Sequence, residues 1–461
     1  MNNSYKLSSY IVVTDLIDAE VSTDPSRILF ATRTGKSILI KDRVYQALEN
    51  GDFSSIENKN LVNLMRLEVI VPAQSDEFDE ILRQNVASLE DTQSLDVTIQ
   101  PTANCQLGCG YCGQVHSKKD LDQATSFKIT DRIFSNLQKK GYQRLAVGWF
   151  GSEPLMAHNE IIRMSERLLD YCEKHDVAYS ASMITNGLSF KPNIFLKLLE
   201  KKVHHYQITL DGLGETHDLM RITKEGHKTF DIIFKNIVDV TNLPEYMESK
   251  CGIAVRVNVN KDSVKTIYKL IDRLAQYDLG RKRVTMDFAP VVDWGGNEAD
   301  KDSLSAQDFA KAEIDWMLYA MKKGFRFDQV IPGKTSAPCM VVKEDAEVYD
   351  ALGNIYPCYE FPYTPKYETE EYKIGHIDTI EVSRNLNATT KNWFEDIKTD
   401  ISPCKTCNLF PVCGGGCPKQ WYNKDIACPS FKINIQDRLV MDYLVNKEVY
   451  FESHLKDAVL R

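Results

Sequence analysis

The sequence has no run of about 18 apolar residues, the length a helix needs to cross a hydrocarbon core. Its first residues, Met1-Asn2-Asn3-Ser4-Tyr5-Lys6, carry no apolar signal core. A cytoplasmic protein with no membrane partner is therefore expected. Positive charge is also in short supply: 56 Lys and Arg face 65 Asp and Glu, a formal charge of −9. Non-specific nucleic-acid binding wants a basic face, so no nucleic-acid partner is expected. With 43% hydrophobic and 26% charged residues, the 461-residue chain has material for sizeable cores in about three domains.

Cysteine is not scarce. Twelve in a chain of this kind point to metal rather than disulfides. Three fall at 105–112 and seven between Cys339 and Cys428 inclusive. Cys172, on an apolar helix face, and Cys251, opening a strand, stand apart and read as small buried hydrophobes. The first group, Cys105-Gln106-Leu107-Gly108-Cys109-Gly110-Tyr111-Cys112, reads C-x3-C-x2-C and follows an apolar alternation, Leu95 to Gln100. Three thiolates this close can wrap one side of a [4Fe–4S] cube, which ordinarily takes four. The remaining iron is then a site for an amine and a carboxylate, such as the methionine end of S-adenosylmethionine. The alternatives are a zinc site, which favours paired C-x2-C units, and a chance grouping of buried thiols.

From 93 to about 320, strands alternate with helices. The predicted strands are Leu95–Gln100, Arg144–Phe150, Ala178–Thr185, Tyr206–Leu210, Ile253–Val259 and Val284–Ala289. Helix faces are marked by Ile161, Ser165, Leu168 and Cys172; by Phe195, Leu198 and Leu199; by Ile232, Ile233, Ile237 and Val240; and by Val264, Ile267, Leu270, Ile271 and Leu274. This pattern predicts an α/β fold, a parallel sheet curled into a partial (β/α)6, TIM-like barrel, with chemistry at the carboxyl ends of the strands. The unusual residues fall at those ends: the cysteine triple, Gly151-Ser152-Glu153-Pro154, Thr185-Asn186-Gly187, Thr209-Leu210-Asp211-Gly212 with His217, Asp218 and Arg221 after it, and Arg256 and Asn258. Singly, each motif is what a strand-to-helix turn uses. In register on successive strands, they make a site. Ser305 with Asp308 reads as the capping box of a helix to Gly324.

Residues 1–92 read as a small α+β, winged-helix-like domain. Strands are expected at Tyr10–Val13, Ile28–Thr32 and Ser37–Ile40 in an antiparallel sheet, then helices at Arg43–Glu49 and Asn58–Arg66. Leu67–Val71 reads as a further strand and Ser75–Glu90 as a helix or linker. In the last region, Tyr349–Tyr356 reads as a hairpin with a Gly353-Asn354 turn, and Phe431–Lys456 as a final helix with Ile433, Ile435, Leu439, Val440, Tyr443 and Leu444 as its apolar positions. The expected domains are 1–92, 93–324, 325–440 and a C-terminal helix at 441–461.

The cysteine triple, with Tyr111 before its third cysteine, resembles the radical S-adenosylmethionine (SAM) superfamily. The resemblance implies a [4Fe–4S] cluster on Cys105, Cys109 and Cys112, reductive cleavage of the cofactor and a 5′-deoxyadenosyl radical. Gly151-Ser152-Glu153-Pro154 resembles that superfamily's G-G-E-P motif, with Ser152 at the second glycine. The likeness implies cofactor contacts from Tyr111, Gly151, Ser152, Glu153, Asn186, Thr209 and Arg221. A guanidinium grips a carboxylate with two bonds, which suits Arg221 to the methionine carboxylate, and Met286–Pro290 would run under the adenine.

The later cysteines resemble the SPASM extension of peptide- and protein-modifying radical enzymes. Cys339, Gly353 and Cys358 precede Cys404-x2-Cys407-x5-Cys413-x3-Cys417 and Cys428. By that resemblance two auxiliary [4Fe–4S] clusters are implied, an outer one on Cys404, Cys407, Cys413 and Cys428, and an inner one on Cys339, Cys358 and Cys417. Sulfatase maturases of this family have a further cysteine soon after the first, and Met340 to Ala346 has none. They also carry an aspartate after the second cysteine, where this chain has Tyr359 and then Glu360. Residues 1–92 resemble, in pattern only, the leader-binding domains of enzymes that mature ribosomal peptides, and equally a cap over the catalytic domain.

The resemblance implies a peptide maturase that crosslinks or otherwise oxidises a ribosomally made precursor, served by an electron donor such as flavodoxin or ferredoxin. The alternatives are a sulfatase-maturase-like enzyme acting on a protein Cys or Ser, and a non-catalytic iron–sulfur carrier or zinc scaffold. No general base is assigned.

Overall fold

A computed structural model describes residues 5–17, 23–90, 93–327, 329–343, 345–379, 393–399 and 401–446. The chain forms two compact units that do not follow chain order: 1–91, 328–342 and 392–461 make the first, and 92–327 with 343–391 the second.

In the first unit, β2 (Ile11–Val13), β3 (Ser26–Ala31) and β4 (Lys36–Lys41) form an antiparallel sheet in that order, while β1 (Tyr5–Leu7) pairs with β5 (Ile70–Pro72). The helices Asp42–Glu49, Asn58–Arg66 and Glu77–Glu90 follow the predicted segments. Strand β3 is buried on both faces. Leu29 and Ala31 pack with Ile40 of β4 and with Leu48 and Leu64 of the N-terminal helices. Ile28 and Phe30 pack with Leu409, Val412, Ile435 and Leu439, far along the chain. A second core joins Tyr10, Ile81 and Leu82 to Trp393, Phe410 and Trp421. The N-terminal sheet and the cysteine-rich C-terminal segment thus fold as one body. Asn408 Nδ2 donates to Ile11 O at 2.9 Å and Thr32 Oγ1 to Asn408 O at 2.6 Å, which ties that segment to the edge of β2.

The second unit is built on one nine-stranded sheet. Strands β6 (Ser94–Ile99), β7 (Arg144–Trp149), β8 (Ala178–Thr185), β9 (Val203–Thr209), β10 (Gly252–Val259) and β11 (Val284–Pro290) are parallel and adjacent in chain order. All six answer the predicted segments. The predicted hairpin also forms, as β12 (Glu347–Tyr349) and β13 (Asn354–Tyr356), but it extends this sheet: β12 lies parallel to β6, and β14 (Gly375–His376) follows β13. Arg132 fixes β12 with two bonds to the Glu347 carboxylate, 2.7 and 2.6 Å, a charged pair whose fork geometry adds direction to strength.

The helix His158–Lys174 buries Ile161, Ser165, Leu168 and Cys172 as its spacing predicts. Two expected faces need correction. Ile232 is 48% exposed because it sits one position, about 100°, from the buried row Ile233, Ile237 and Val240. In the last helix, Phe431–Val445, Ile433 and Leu444 are exposed, since Asn434 leaves helical geometry (φ −107°, ψ 20°) and resets the phase. The rest of the expected helix to Lys456 lies outside the described residues, and none of the described helices is long and apolar enough to cross a membrane.

Candidate functional site

The cysteine loop begins six residues beyond the end of β6 and is held by backbone bonds rather than by regular structure. Gly108 N donates to Ile222 O (2.9 Å), Gly110 N to Met220 O (3.2 Å) and Lys224 N to Gln106 O (2.9 Å). These bonds lay the loop along the segment that carries Arg221. Cys105 is buried, and its Sγ accepts from Leu107 N at 3.4 Å and from Asn186 Nδ2 at 3.8 Å. Burial pushes its thiol up to about 12, and the Glu153 carboxylate and the other two cysteines add to the shift.

Tyr111 is the hub of the site. Its hydroxyl donates to Asp211 Oδ2 at 2.5 Å and accepts from Arg221 and from Asn258 Nδ2 (3.1 Å). Asp211 is fully buried and takes a second bond from Asn258 N at 2.8 Å. The Arg221 guanidinium stands 3.7 Å from Asp211, yet its buried Nε has no partner. Such an atom is costly to leave unmade and fits an anionic ligand. His217 backs this network: its Nδ1 accepts from Asp211 N at 3.1 Å, and its Nε2–H meets the Thr229 hydroxyl, which itself donates to Arg221 O. Burial, with Arg221 nearby, holds its pKa down at about 3, so the ring is neutral.

The Gly151-Ser152-Glu153-Pro154 turn is shaped by φ values of +89° at Gly151 and +49° at Ser152. A Cβ on Gly151 would lie 2.2 Å from the Gln100 side chain, so only glycine fits there. Ser152 N donates to Gln114 Oε1 at 3.0 Å, while the buried Ser152 hydroxyl has no partner. Glu153 is fully buried and both its oxygens are engaged: Oε1 with Leu155 N (3.0 Å) and the Thr185 hydroxyl (2.6 Å), Oε2 with Asn186 N (2.7 Å). It joins the ends of β7 and β8. Thr209 closes β9, buried and in register with Arg256.

Other residues around the site belong to none of the sequence motifs, Asp293 first among them. Asp293 binds four successive backbone amides, Gly295 to Glu298. Burial opposes its charge, but those bonds outweigh it and hold the carboxyl below its ordinary range. The loop it shapes follows β11 and reaches the cysteine loop that follows β6. Asn297 Nδ2 donates to Cys112 O at 3.1 Å, and a Cβ on Gly113 would meet Gly295 Cα at 2.6 Å. Loops from the first and sixth parallel strands therefore touch, which is what a curled sheet requires. The only advance signal was the Trp294-Gly295-Gly296 run. On the β12–β13 side, Gln100 Nε2 donates to Tyr359 O (2.8 Å) and Val115 N to Tyr363 O (2.7 Å), while the Tyr359 ring stands edge-on to Phe150. Cys358 is buried at the start of this segment.

In the first unit, Cys404, Cys407, Cys413 and Cys428 line one small cavity with Leu409, Phe410, Phe431 and Lys432. The glycines after Cys413 are tied by Trp393 Nε1 to Gly414 O (3.1 Å) and Trp421 Nε1 to Gly415 O (2.7 Å). Four thiols around a cavity suit a cluster. Among the described residues, no three His, Cys, Asp or Glu side chains close on a point fit for one metal ion. Cys339 lies in the same unit, where burial pushes its thiol up to about 12 and Cys417 adds to the shift.

The radical SAM superfamily profile matches residues 99–291, the span of the parallel strands. The cysteine-type anaerobic sulfatase-maturating enzyme of Clostridium novyi is 22% identical over 78% of this chain and 100% of its own. The mycofactocin maturase MftC of Mycolicibacterium smegmatis is 23% identical over 70% of this chain and 77% of its own. A solved structure of native anSMEcpe with bound AdoMet aligns at a TM-score of 0.56 and 19% identity, over 78% of this chain and 100% of that one. Residues 99–291 thus form a radical SAM domain on an α/β core, the cysteine-rich C-terminal region fits SPASM, and the chain is an enzyme with SAM and a [4Fe–4S] cluster as its cofactors.

Proposed function

We propose that this enzyme oxidises side chains or Cα positions of a ribosomally made precursor peptide, closing a thioether or carbon–carbon crosslink. Cys105, Cys109 and Cys112 would hold the [4Fe–4S] cluster, and the chemistry such a cluster supplies when bound is one-electron cleavage of SAM to methionine and a 5′-deoxyadenosyl radical. Arg221, with its unpaired Nε, receives the methionine carboxylate, and the unpaired Ser152 hydroxyl lies on the turn bonded to Gln114. Tyr111 and Asp211 hold Arg221 in place. Glu153 acts through Asn186 and Thr185, which it positions at the end of β8. Thr209 remains the candidate ribose contact. The auxiliary sets are Cys404, Cys407, Cys413 and Cys428, and Cys339, Cys358 and Cys417.

The observation that carries the peptide reading is the edge of β4. Among the described residues, β4 pairs only with β3, while the far edge, β2, is bonded by Asn408. An extended leader segment would add to β4 as a further strand. A flavodoxin or ferredoxin would supply electrons. The test is anaerobic: reconstituted enzyme, SAM, reductant and small candidate precursors, read by mass spectrometry. Leader-dependent loss of two hydrogens from the peptide is the expected result.

A second reading, modification of a sulfatase Cys or Ser, is favoured by what the Clostridium novyi relative is called. Tyr359 stands where those maturases carry aspartate, which supports the first reading. Formylglycine formed on a sulfatase peptide would overturn it.

A further inference from the structure

The helix Phe431–Val445 has a lysine in its first turn, Lys432, and no acidic residue there. That is the unfavourable sign for a helix start, where unpaired N–H groups already make the end positive. The lysine is exposed, yet its side chain turns back toward the cysteines. Lys432 N donates to Pro429 O at 3.0 Å, a turn that brings the side chain back over Cys428, and its Nζ donates to Cys428 Sγ at 3.4 Å. Among the described residues, Lys432 is also the one charged residue lining the cavity of Cys404, Cys407, Cys413 and Cys428; the lining side chains other than the cysteines are apolar.

We infer that Lys432 tunes the auxiliary cluster assigned to those four cysteines, raising its reduction potential by a fixed cation hydrogen-bonded to one ligating sulfur. The inference rests on that ligand assignment. A cluster that takes up an electron becomes more negative by one charge, so a nearby cation stabilises the reduced state more than the oxidised one. The N–H···S bond works in the same direction by drawing electron density from the sulfur, and hydrogen bonds to cluster sulfurs are an established lever on potential. Leu409 and Phe410 wall the cavity, and although Lys432 is exposed, the contact of its Nζ with Cys428 Sγ at 3.4 Å keeps the charge at the shortest range, where solvent screens it least. Lys432 is a positioning residue on this account, not a catalytic one.

Lys405 provides an internal control. It lies between Cys404 and Cys407 in sequence, is exposed, and lines a different groove with Lys6, Ser9 and Gln74. Removing it changes the net charge of the region equally without touching the bond to Cys428.

The test uses the full chain with Cys105, Cys109 and Cys112 replaced by Ala, reconstituted with iron and sulfide and titrated potentiometrically under electron paramagnetic resonance. The signal lost on adding Cys413→Ala identifies the cluster. Lys432→Met is expected to move its midpoint negative by about 59 mV or more, a tenfold change in the one-electron equilibrium. Lys432→Arg is expected to restore most of that shift, and Lys405→Met to produce less than half of it. Lys432→Gln replaces the Met variant where the latter loses iron. An unchanged midpoint in Lys432→Met, or an equal shift in Lys405→Met, overturns the inference while leaving the ligand assignment standing. Absence of any Cys413-dependent signal overturns the assignment and the inference together.

Discussion

Around Cys105, Cys109 and Cys112 the neighbours are polar and charged: Arg221, Tyr111, Asp211, Asn186 and Glu153. Around Cys404, Cys407, Cys413 and Cys428 they are Leu409, Phe410 and Phe431, with two tryptophans bonding the glycines nearby and one lysine. The first group keeps buried polar atoms without partners at Arg221 and Ser152. The second is enclosed by its own four thiols and an apolar wall. A site that must admit and orient a zwitterionic cofactor needs donors that stay uncommitted until the ligand arrives. A site that only holds and passes charge is better closed, because burial and nearby charge are levers on a cluster's potential. Cysteine spacing alone does not separate these two tasks; the surroundings do.

The largest effect should come from removing one cysteine from each region. Cys105→Ala is expected to abolish 5′-deoxyadenosine, whereas Cys413→Ala should keep cofactor cleavage and lose substrate oxidation, both read by liquid chromatography. Loss of cleavage in both would erase the contrast between the regions. Next is Phe30→Ala, which empties the interface between β3 and the cysteine-rich segment. A large-to-small change at such a site costs about 3–5 kcal/mol, and denaturant unfolding should show the N-terminal sheet and the auxiliary iron lost in one transition. Two separate transitions would mean that the two segments fold independently.

Arg221→Lys sharpens the account of the open site. It removes a forked, charge-assisted donor worth about 1.5–3 kcal/mol, so SAM affinity in equilibrium dialysis should fall roughly 10- to 100-fold, a range set by the same principle. The inserted iron should be unchanged.

His217 gives a pH test. Its folded pKa of about 3 lies below the ordinary 6.5 because burial and Arg221 disfavour the charged ring. Stability from the neutral ring is fully present above pH 6.5 and is lost as pH falls from 6.5 towards 3. His217→Gln should flatten that part of the stability curve. The smallest effect is expected at Asp293→Ala, about 0.5–2 kcal/mol by analogy with loss of a helix cap, seen as faster hydrogen exchange at Gly295 to Glu298. Exchange unchanged there would mean the loop is held by Gly113 and Cys112 without Asp293.

Much of the second unit was legible from local pattern. Runs of β-branched and apolar residues placed all six parallel strands, and the turn residues after them placed the site at their carboxyl ends. The face of the helix His158–Lys174 followed from its period. The phase of the helix Phe431–Val445 did not, because Asn434 interrupts it. The Trp294-Gly295-Gly296 run marked a loop, but not Asp293 as its centre or the cysteines as its neighbours, since the partners of Asp293 are backbone amides that any sequence supplies.

What the sequence by itself determined is therefore the chemistry on offer: the C-x3-C-x2-C triple, the C-x2-C-x5-C-x3-C run, and the strand–turn–helix rhythm that carries the first of them. These are set by covalent spacing and by backbone preferences that act over a few residues. Only the tertiary structure decided which surfaces meet. It joined β3 to Leu409 and Leu439, which lie 381 and 411 positions beyond Ile28. It also laid β12 beside β6, and turned Lys432 onto Cys428. Apolar burial drives such contacts without regard to distance along the chain, so they are legible only once the chain has closed on itself.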